Sequence, residues 1–133
     1  MANQFNIVSS VTWTPPRAIV NSGVSTLGAS GVYNASSVGS IDVPPGTTVG
    51  TIFSVPLDHI SSLKALIVRN EMSSDIGIRI NGSVTNNFEI AAGGELHYLA
   101  PIAPVTTPIT SLSIVTTLDP TQIQSVFFWA YGD

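Results

Sequence analysis

Charged side chains are scarce in this chain of 133 residues, which contains four Lys or Arg and eight Asp or Glu, or 9%. A soluble domain ordinarily carries roughly 25% charged residues. Four scattered cations cannot form the basic patch that nucleic acid or an anionic lipid surface requires. The composition therefore predicts a protein that binds neither nucleic acid nor a membrane.

Cysteine is absent, and the chain has only two histidines, His59 and His97. These facts exclude a disulfide framework and a zinc site with thiolate ligands. The carboxylates show no Asp-x-Asp spacing or acidic run that would place several oxygen ligands around calcium. We expect no metal and no cofactor.

Long hydrophobic segments are also missing. The longest apolar runs are Ala65–Val68 and Val126–Tyr131, far short of the roughly 20 residues that a membrane helix needs. The first six residues lack the cationic patch and apolar stretch of a secretory signal. We expect a protein that is made in a cytoplasm and does not span a membrane.

β-Branched residues are abundant, with 14 Val, 14 Ile and 13 Thr, and such side chains favour strands. Short apolar or alternating segments recur every 8 to 15 residues between turn residues. This spacing predicts an all-β fold, an antiparallel β-sandwich of about eight strands. We expect one sandwich domain over residues 17–133, preceded by an extended N-terminal arm over residues 1–16.

Several strands can be located from their patterns. Leu63–Arg69 is apolar on both faces, which predicts a central strand, and Asp75–Ile80 alternates between apolar and polar residues. Asn81-Gly82 then predicts a two-residue hairpin turn and a return strand over Ser83–Ile90. The aromatic Val126–Tyr131 must be a paired and covered strand. Further predicted elements are short strands at Arg17–Val20, Gly31–Tyr33, Ser40–Val43, Val49–Val55, Glu95–Leu99 and Ile109–Thr116, and one helical turn within Pro56–Ser62.

Catalytic chemistry finds little support. Either histidine could serve as a base, but the 17 serines form no nucleophile signature such as Gly-x-Ser-x-Gly. Carboxylate pairs could be assembled from Glu71 with Asp75, or from Glu89 with Glu95. These acids flank predicted turns, where solvated carboxylates maintain solubility, so we expect a protein that is not an enzyme.

The charge shortage is most severe in residues 1–57, which hold only Arg17 and Asp42. This segment is either a set of ordinary surface loops or an arm that contacts a neighbouring subunit, since charges are depleted from interface cores. Arg69 and Arg79 are predicted on adjacent strands, either in cross-strand ion pairs or as subunit anchors. The candidate interface residues are Phe5, Trp13, Pro15, Pro16, Arg17, Arg69 and Arg79.

From Leu63 onward the chain resembles small virion structural proteins of tailed bacteriophages that have a jelly-roll-like sandwich. The segments that carry the resemblance are Leu63–Asn70, Ile76–Gly82, Phe88–Gly94, Thr110–Ile114 and Val126–Asp133. The resemblance implies a capsid decoration (cement) protein or a related minor capsid or tail component. Such proteins sit as homotrimers on the virion and brace the major capsid protein through an N-terminal arm and an apolar base.

A second hypothesis is a receptor- or glycan-binding β-sandwich module of a phage tail or fibre. Sugar rings stack on aromatic side chains, and amide groups can donate hydrogen bonds to sugar hydroxyls. The stacking candidates are Tyr33, Tyr98, Trp129 and Tyr131, and the amide candidates are Asn86 and Asn87.

Overall fold

In a computed structural model, the described part of the chain contains ten β-strands and no helix. The structure describes residues 3–13, 23–57, 59–100, 108–117 and 120–133. The strands are β1 (Asn3–Trp13), β2 (Gly23–Tyr33), β3 (Ala35–Val43), β4 (Ile52–Val55), β5 (Leu63–Asn70), β6 (Ile76–Ile80), β7 (Phe88–Ile90), β8 (Glu95–Leu99), β9 (Leu112–Thr116) and β10 (Gln124–Gly132).

Eight of these strands form an antiparallel β-sandwich, as the sequence predicts. One sheet has the order β3-β10-β5-β8, and the other has the order β4-β9-β6-β7; we call them sheet I and sheet II. Every pairing within them is antiparallel. The chain changes sheet at each connection from β3 to β10 except between β6 and β7, so neighbouring strands in a sheet are distant in sequence.

The core lies between the two sheets because alternate side chains of each strand point inward. Val126, Phe128 and Ala130 of β10 face Ile76 and Ile78 of β6 in one apolar cluster. β5 lies between β10 and β8, which confirms the prediction that Leu63–Arg69 is a central strand. The aromatic β10 is likewise paired on both sides, with β3 and β5.

A buried asparagine links the two sheets at one end. Asn70, at the end of β5, is fully buried, and its side-chain amide donates to the carbonyls of Ser74, Ile90 and Ala91 at 2.8 to 3.1 Å. Its Oδ1 accepts from the Met72 N–H at 3.0 Å. All of its hydrogen-bonding capacity toward the backbone is used, so its polarity is compensated inside the core.

The Asn81-Gly82 turn forms as predicted, but the strand that follows it is shorter than predicted. Asn81 and Gly82 have φ values of 52° and 73°, and the Ser83 N–H donates to the Ile80 carbonyl at 3.0 Å. The return strand predicted over Ser83–Ile90 forms only at its end, since β7 begins at Phe88 and pairs antiparallel with β6. The Ile80 N–H donates to Asn87 Oδ1 at 2.8 Å. A side-chain amide therefore replaces the backbone partner that a two-residue hairpin would supply.

The described residues of the segment 56–62 contain a single hydrogen-bonded turn and no longer helix. The Ile60 N–H donates to the Leu57 carbonyl at 2.8 Å, which closes a single turn. The next residues, Ser61 and Ser62, donate their N–H groups to the Asp133 carbonyl instead of continuing a helix. Asp58, which belongs to the same segment, lies outside the described residues.

The N-terminal region contains a long hairpin that the sequence analysis did not predict. β1 and β2 pair antiparallel over their full length, from Asn3 with Tyr33 to Trp13 with Gly23. This hairpin joins residues on both sides of the predicted boundary between an arm (1–16) and a domain (17–133). The division stays a prediction, and the strand predicted at residues 17–20 lies outside the described residues.

Candidate functional site

The outer face of sheet I carries aromatic and apolar side chains where a sandwich ordinarily presents polar ones. In β10 the buried inward residues alternate with Phe127, Trp129 and Tyr131, which point outward. We call this surface the aromatic face and define it by three cross-strand rows. The rows are Ser36, Tyr131, Ala65 and Leu99; Val38, Trp129, Ile67 and His97; and Ser40, Phe127, Arg69 and Glu95.

The hairpin β1–β2 lies against this face. The Tyr33 and Tyr131 rings are 4.9 Å apart at 59°, and both pack with Ala65 and Leu99 in a small second cluster. The Asn34 N–H donates to the Gly132 carbonyl at 2.9 Å. Aromatic packing and backbone hydrogen bonding together attach the hairpin to the sandwich.

A lysine reinforces this attachment. Lys64 is only 8% exposed, and its ammonium group donates to the Val32 carbonyl at 3.2 Å. The same Nζ lies 2.6 Å from Asp133 Oδ2. Because a buried charge needs a partner, Lys64 connects the end of β2 with the end of β10 at one point.

Between the hairpin and the aromatic face lies a cleft of about 530 Å³, which we call the hairpin cleft. Gln4, Asn6 and Val8 of β1 line its outer wall, because alternate side chains of a strand share a face. The inner wall comes from β5, β8 and β10. The lining residues are Gln4, Asn6, Val8, Tyr33, Ile67, Arg69, Glu95, His97, Trp129 and Tyr131.

Charged groups gather at one end of the cleft. Arg69 Nε makes an ion pair with Glu71 Oε1 and lies 3.9 Å from Glu95 Oε1. Glu95 Oε2 is 2.9 Å from His97 Nε2. The guanidinium thus lies between two carboxylates, and the imidazole sits beside one of them, so donors and acceptors alternate along this edge.

No match identifies this chain. Comparison with family models, with curated proteins and with solved structures found nothing similar. The site must therefore be interpreted from its own chemistry.

Two further searches of the described residues gave negative results. No group of three or more His, Asp or Glu side chains is placed to hold a metal ion. The described residues contain no helix that is long and apolar enough to cross a bilayer.

The predicted interface residues separate in the structure. Phe5 and Trp13 belong to β1, where they pair with Gly31 and Gly23. Arg69 lies in the hairpin cleft. The remaining predicted residues of the N-terminal segment, Pro15, Pro16 and Arg17, lie outside the described residues.

Arg69 and Arg79 do not lie on adjacent strands, so that prediction is wrong. Arg69 belongs to β5 of sheet I, whereas Arg79 belongs to β6 of sheet II. Arg79 Nε donates to Asn86 Oδ1 at 3.1 Å. The two strands are consecutive in sequence, but the connection between them crosses from one sheet to the other.

The aromatic residues proposed for stacking are only partly brought together. Tyr33, Trp129 and Tyr131 line the hairpin cleft, while Tyr98 packs against the core between the sheets. Asn86 and Asn87 bond to Arg79 and Ile80 of sheet II. Sequence reasoning missed Gln4 and Asn6, although their alternation with apolar Phe5 and Ile7 was a usable strand signal.

The candidate carboxylate pairs do not assemble as proposed. Glu89 is on β7 of sheet II and Glu95 on β8 of sheet I. Asp75 Oδ1 accepts from the Ala92 N–H at 3.2 Å, while Glu71 pairs with Arg69. Asp75, Glu71 and Glu95 each have a partner that accounts for the position of the carboxylate. His59 is exposed in the connection between β4 and β5.

Proposed function

We propose that the chain is a non-enzymatic structural protein of a virus particle, a capsid decoration (cement) protein of the phage type. It binds the major capsid protein or another virion protein as a homo-oligomer, most simply a homotrimer. Symmetric copies multiply modest individual affinities, so each contact need not be strong. The virion is its proposed location.

One observation carries the proposal: an uncharged surface with exposed hydrophobic side chains. Of the described residues in β1, β2 and β3, only Asp42 is charged. The exposed fractions of the large apolar side chains on these strands and on neighbouring β10 are 59% for Val8, 46% for Val32, 57% for Val38 and 38% for Phe127. Surfaces that are hidden between subunits have this character, because charges are depleted from interface cores and apolar patches mark contacts.

The strand order supports the same proposal at the level of the fold. Two four-stranded antiparallel sheets, with the chain passing back and forth between them, are compatible with the jelly-roll part of the proposal, since a jelly roll has eight strands in two sheets. Capsid domains use this architecture, and so do lectins. The fold is therefore compatible with the proposal, and the uncharged surface is the feature that favours it.

The first experiment measures the mass of the full chain in solution by light scattering after size-exclusion chromatography. Since one chain is 13.9 kDa, a homotrimer is expected at about 42 kDa, three times that mass. The second experiment mixes the purified chain with particles that lack it and measures binding by co-sedimentation. Both association and particle binding are expected.

Paired aspartate variants locate the contact. Val38→Asp with Phe127→Asp places two charges on the uncharged surface and is expected to weaken both trimer formation and particle binding. Val84→Asp is the matched control, because Val84 is 85% exposed in the loop before β7 on sheet II. A stable monomer that does not bind the particles would refute the proposal. Equal effects of the double variant and the control on trimer formation and particle binding would also refute it.

A further inference from the structure

The hairpin cleft is a concave site whose lining, apart from Val8, is not part of the surface that the structural proposal uses. Its volume of about 530 Å³ lies within the roughly 300 to 1,000 Å³ of small-ligand pockets. Such pockets combine apolar walls with a few polar groups that fix orientation. We propose that the hairpin cleft binds a neutral saccharide.

The inner wall supplies aromatic ring surfaces. Trp129, Tyr131 and Tyr33 are half-buried and line the cleft. Phe127 stacks beside Trp129, with the ring centroids 6.5 Å apart and an interplanar angle of 27°. Ile67 on β5 is the cross-strand neighbour of Trp129. These neighbours restrain the indole while leaving part of it open. The C–H faces of a sugar ring are apolar and pack against such rings.

The remaining lining supplies planar polar groups. Gln4 and Asn6 project from β1, and Arg69, Glu95 and His97 lie on the sheet opposite. Amides, guanidinium and carboxylate offer paired donors and acceptors in fixed planes. Adjacent sugar hydroxyls each donate and accept, so they suit groups of this kind. An apolar ligand would displace the water bound to these polar groups and would offer no hydrogen bonds in its place.

The charge of the site selects an uncharged ligand. Arg69 is the cation of the cleft lining, and it lies between Glu71 and Glu95. These two carboxylates offset the guanidinium, so a phosphate, sulfate or sialic acid would meet no surplus of positive charge. Neutral hexoses and N-acetylhexosamines fit this balance better than acidic sugars.

The test uses the full chain and the fluorescence of Trp129. The chain has two tryptophans, so Trp13→Phe leaves Trp129 as the only indole. The probes are neutral oligosaccharides of glucose, galactose, mannose and N-acetylglucosamine, with sialyllactose and a heparin disaccharide as acidic comparisons. At least one neutral probe is expected to change the fluorescence in a saturable way, with a dissociation constant of about 10 mM or lower.

Calorimetric titration of the same probe into variants locates the site. Trp129→Ala and Glu95→Gln are each expected to weaken binding by at least about tenfold, while Trp129→Phe retains a ring and loses less. Phe88→Ala is the matched control, because Phe88 is a partly exposed phenylalanine on β7 of sheet II, away from Trp129 and outside the cleft lining. It is expected to bind nearly as the parent does.

Several outcomes would overturn this inference. One is the absence of a saturable signal with every neutral probe, and another is tighter binding of the acidic sugars. Binding that survives Trp129→Ala would place the sugar elsewhere. The inference is independent of the capsid proposal: saccharide binding is read by titration of the chain, and capsid function by oligomer mass and co-sedimentation, so either can fail alone.

Discussion

The two sheets of the sandwich have similar inner faces and different outer faces. Inside, both contribute buried apolar side chains, such as Phe128 of sheet I and Ile114 of sheet II. Outside, sheet I shows the aromatic face that lies against the hairpin. The outer residues of sheet II are small, aliphatic or charged, and they are Ile52, Ser54, Gly77, Arg79, Glu89, Ser113 and Val115.

The outer faces differ because different segments cover them. On sheet II the loop after β6 folds back so that Asn86 lies over Gly77, where a Cβ would be 2.3 Å from Asn86 Nδ2. On sheet I the separate β1–β2 hairpin is the cover, and it leaves a cleft. A local loop can seal a sheet tightly, whereas an element joined at one end leaves space that a ligand or a partner can use.

The largest expected effect tests the packing that both sheets share. Phe128→Ala should lower the free energy of unfolding by about 3 to 5 kcal/mol, because it empties a fully packed site. Phe127→Ala, its neighbour on the outer face, should cost about 1 kcal/mol. Urea denaturation followed by circular dichroism measures both. Equal losses would mean that the aromatic face is as tightly packed as the core.

Two crowded glycines, one on each sheet, sharpen the comparison. A Cβ on Gly132 would lie 2.2 Å from the Ser62 carbonyl oxygen, which is backbone, so Gly132→Ala should cost about 2 to 3 kcal/mol. At Gly77 the obstacle is the exposed Asn86 side chain, which can move, and Gly77→Ala should cost about 1 kcal/mol or less. Thermal unfolding compares the two variants.

The control for this pair is the double variant Gly77→Ala with Asn86→Ala. Removing the Asn86 amide should relieve the contact, so the double variant should be no less stable than Asn86→Ala alone. A large loss from Gly77→Ala that persists in the double variant would show that the backbone of β6 cannot accept a side chain for another reason.

A third prediction concerns the outer faces directly. Trp129→Ala should cost about 1 to 2 kcal/mol, because the half-buried indole packs with Phe127 and lines the cleft. Ile52→Ala on the edge of sheet II, where the side chain is 53% exposed, should change stability by about 0.5 kcal/mol or less. Urea denaturation of both variants checks this. Similar values would contradict the proposed cover of sheet I by the hairpin.

The smallest expected effects come from the two arginines. Arg69→Ala removes the ion pairs with Glu71 and Glu95 on half-exposed side chains and should cost about 0.5 kcal/mol at low salt. The loss should shrink in molar salt, which screens charges. Arg79→Ala removes a hydrogen bond to a neutral amide, so its effect should not depend on salt. Denaturation at two salt concentrations separates them.

Much of the sandwich could be predicted because the residue pattern within each strand identifies it as a strand. Leu63–Arg69 and Glu95–Leu99 were located to within a residue, and the Ile76, Ile78 and Ile80 alternation marked the buried side of β6. The Asn81-Gly82 turn was also found, because both residues adopt positive φ. Each of these features depends on the period of side chains along one strand or on a turn of two residues.

The hairpin and the cleft could not be predicted by the same means. β2 is rich in Ser and Gly, so its alternation is weak, and its strand character depends on its pairing with β1. Arg69 and Arg79 were wrongly paired because a sequence does not show at which connection the chain crosses between sheets.

The sequence by itself determined the class of the fold, the absence of cysteine chemistry and the segment in which charge is scarce. These are consequences of composition and of the two-residue period, which act locally. Only the tertiary structure decided that Trp129 and Tyr131 of β10 face a hairpin, and that Arg69, Glu95 and Trp129 share a cleft. Those contacts join segments far apart in the chain, and the packing of whole sheets places them together.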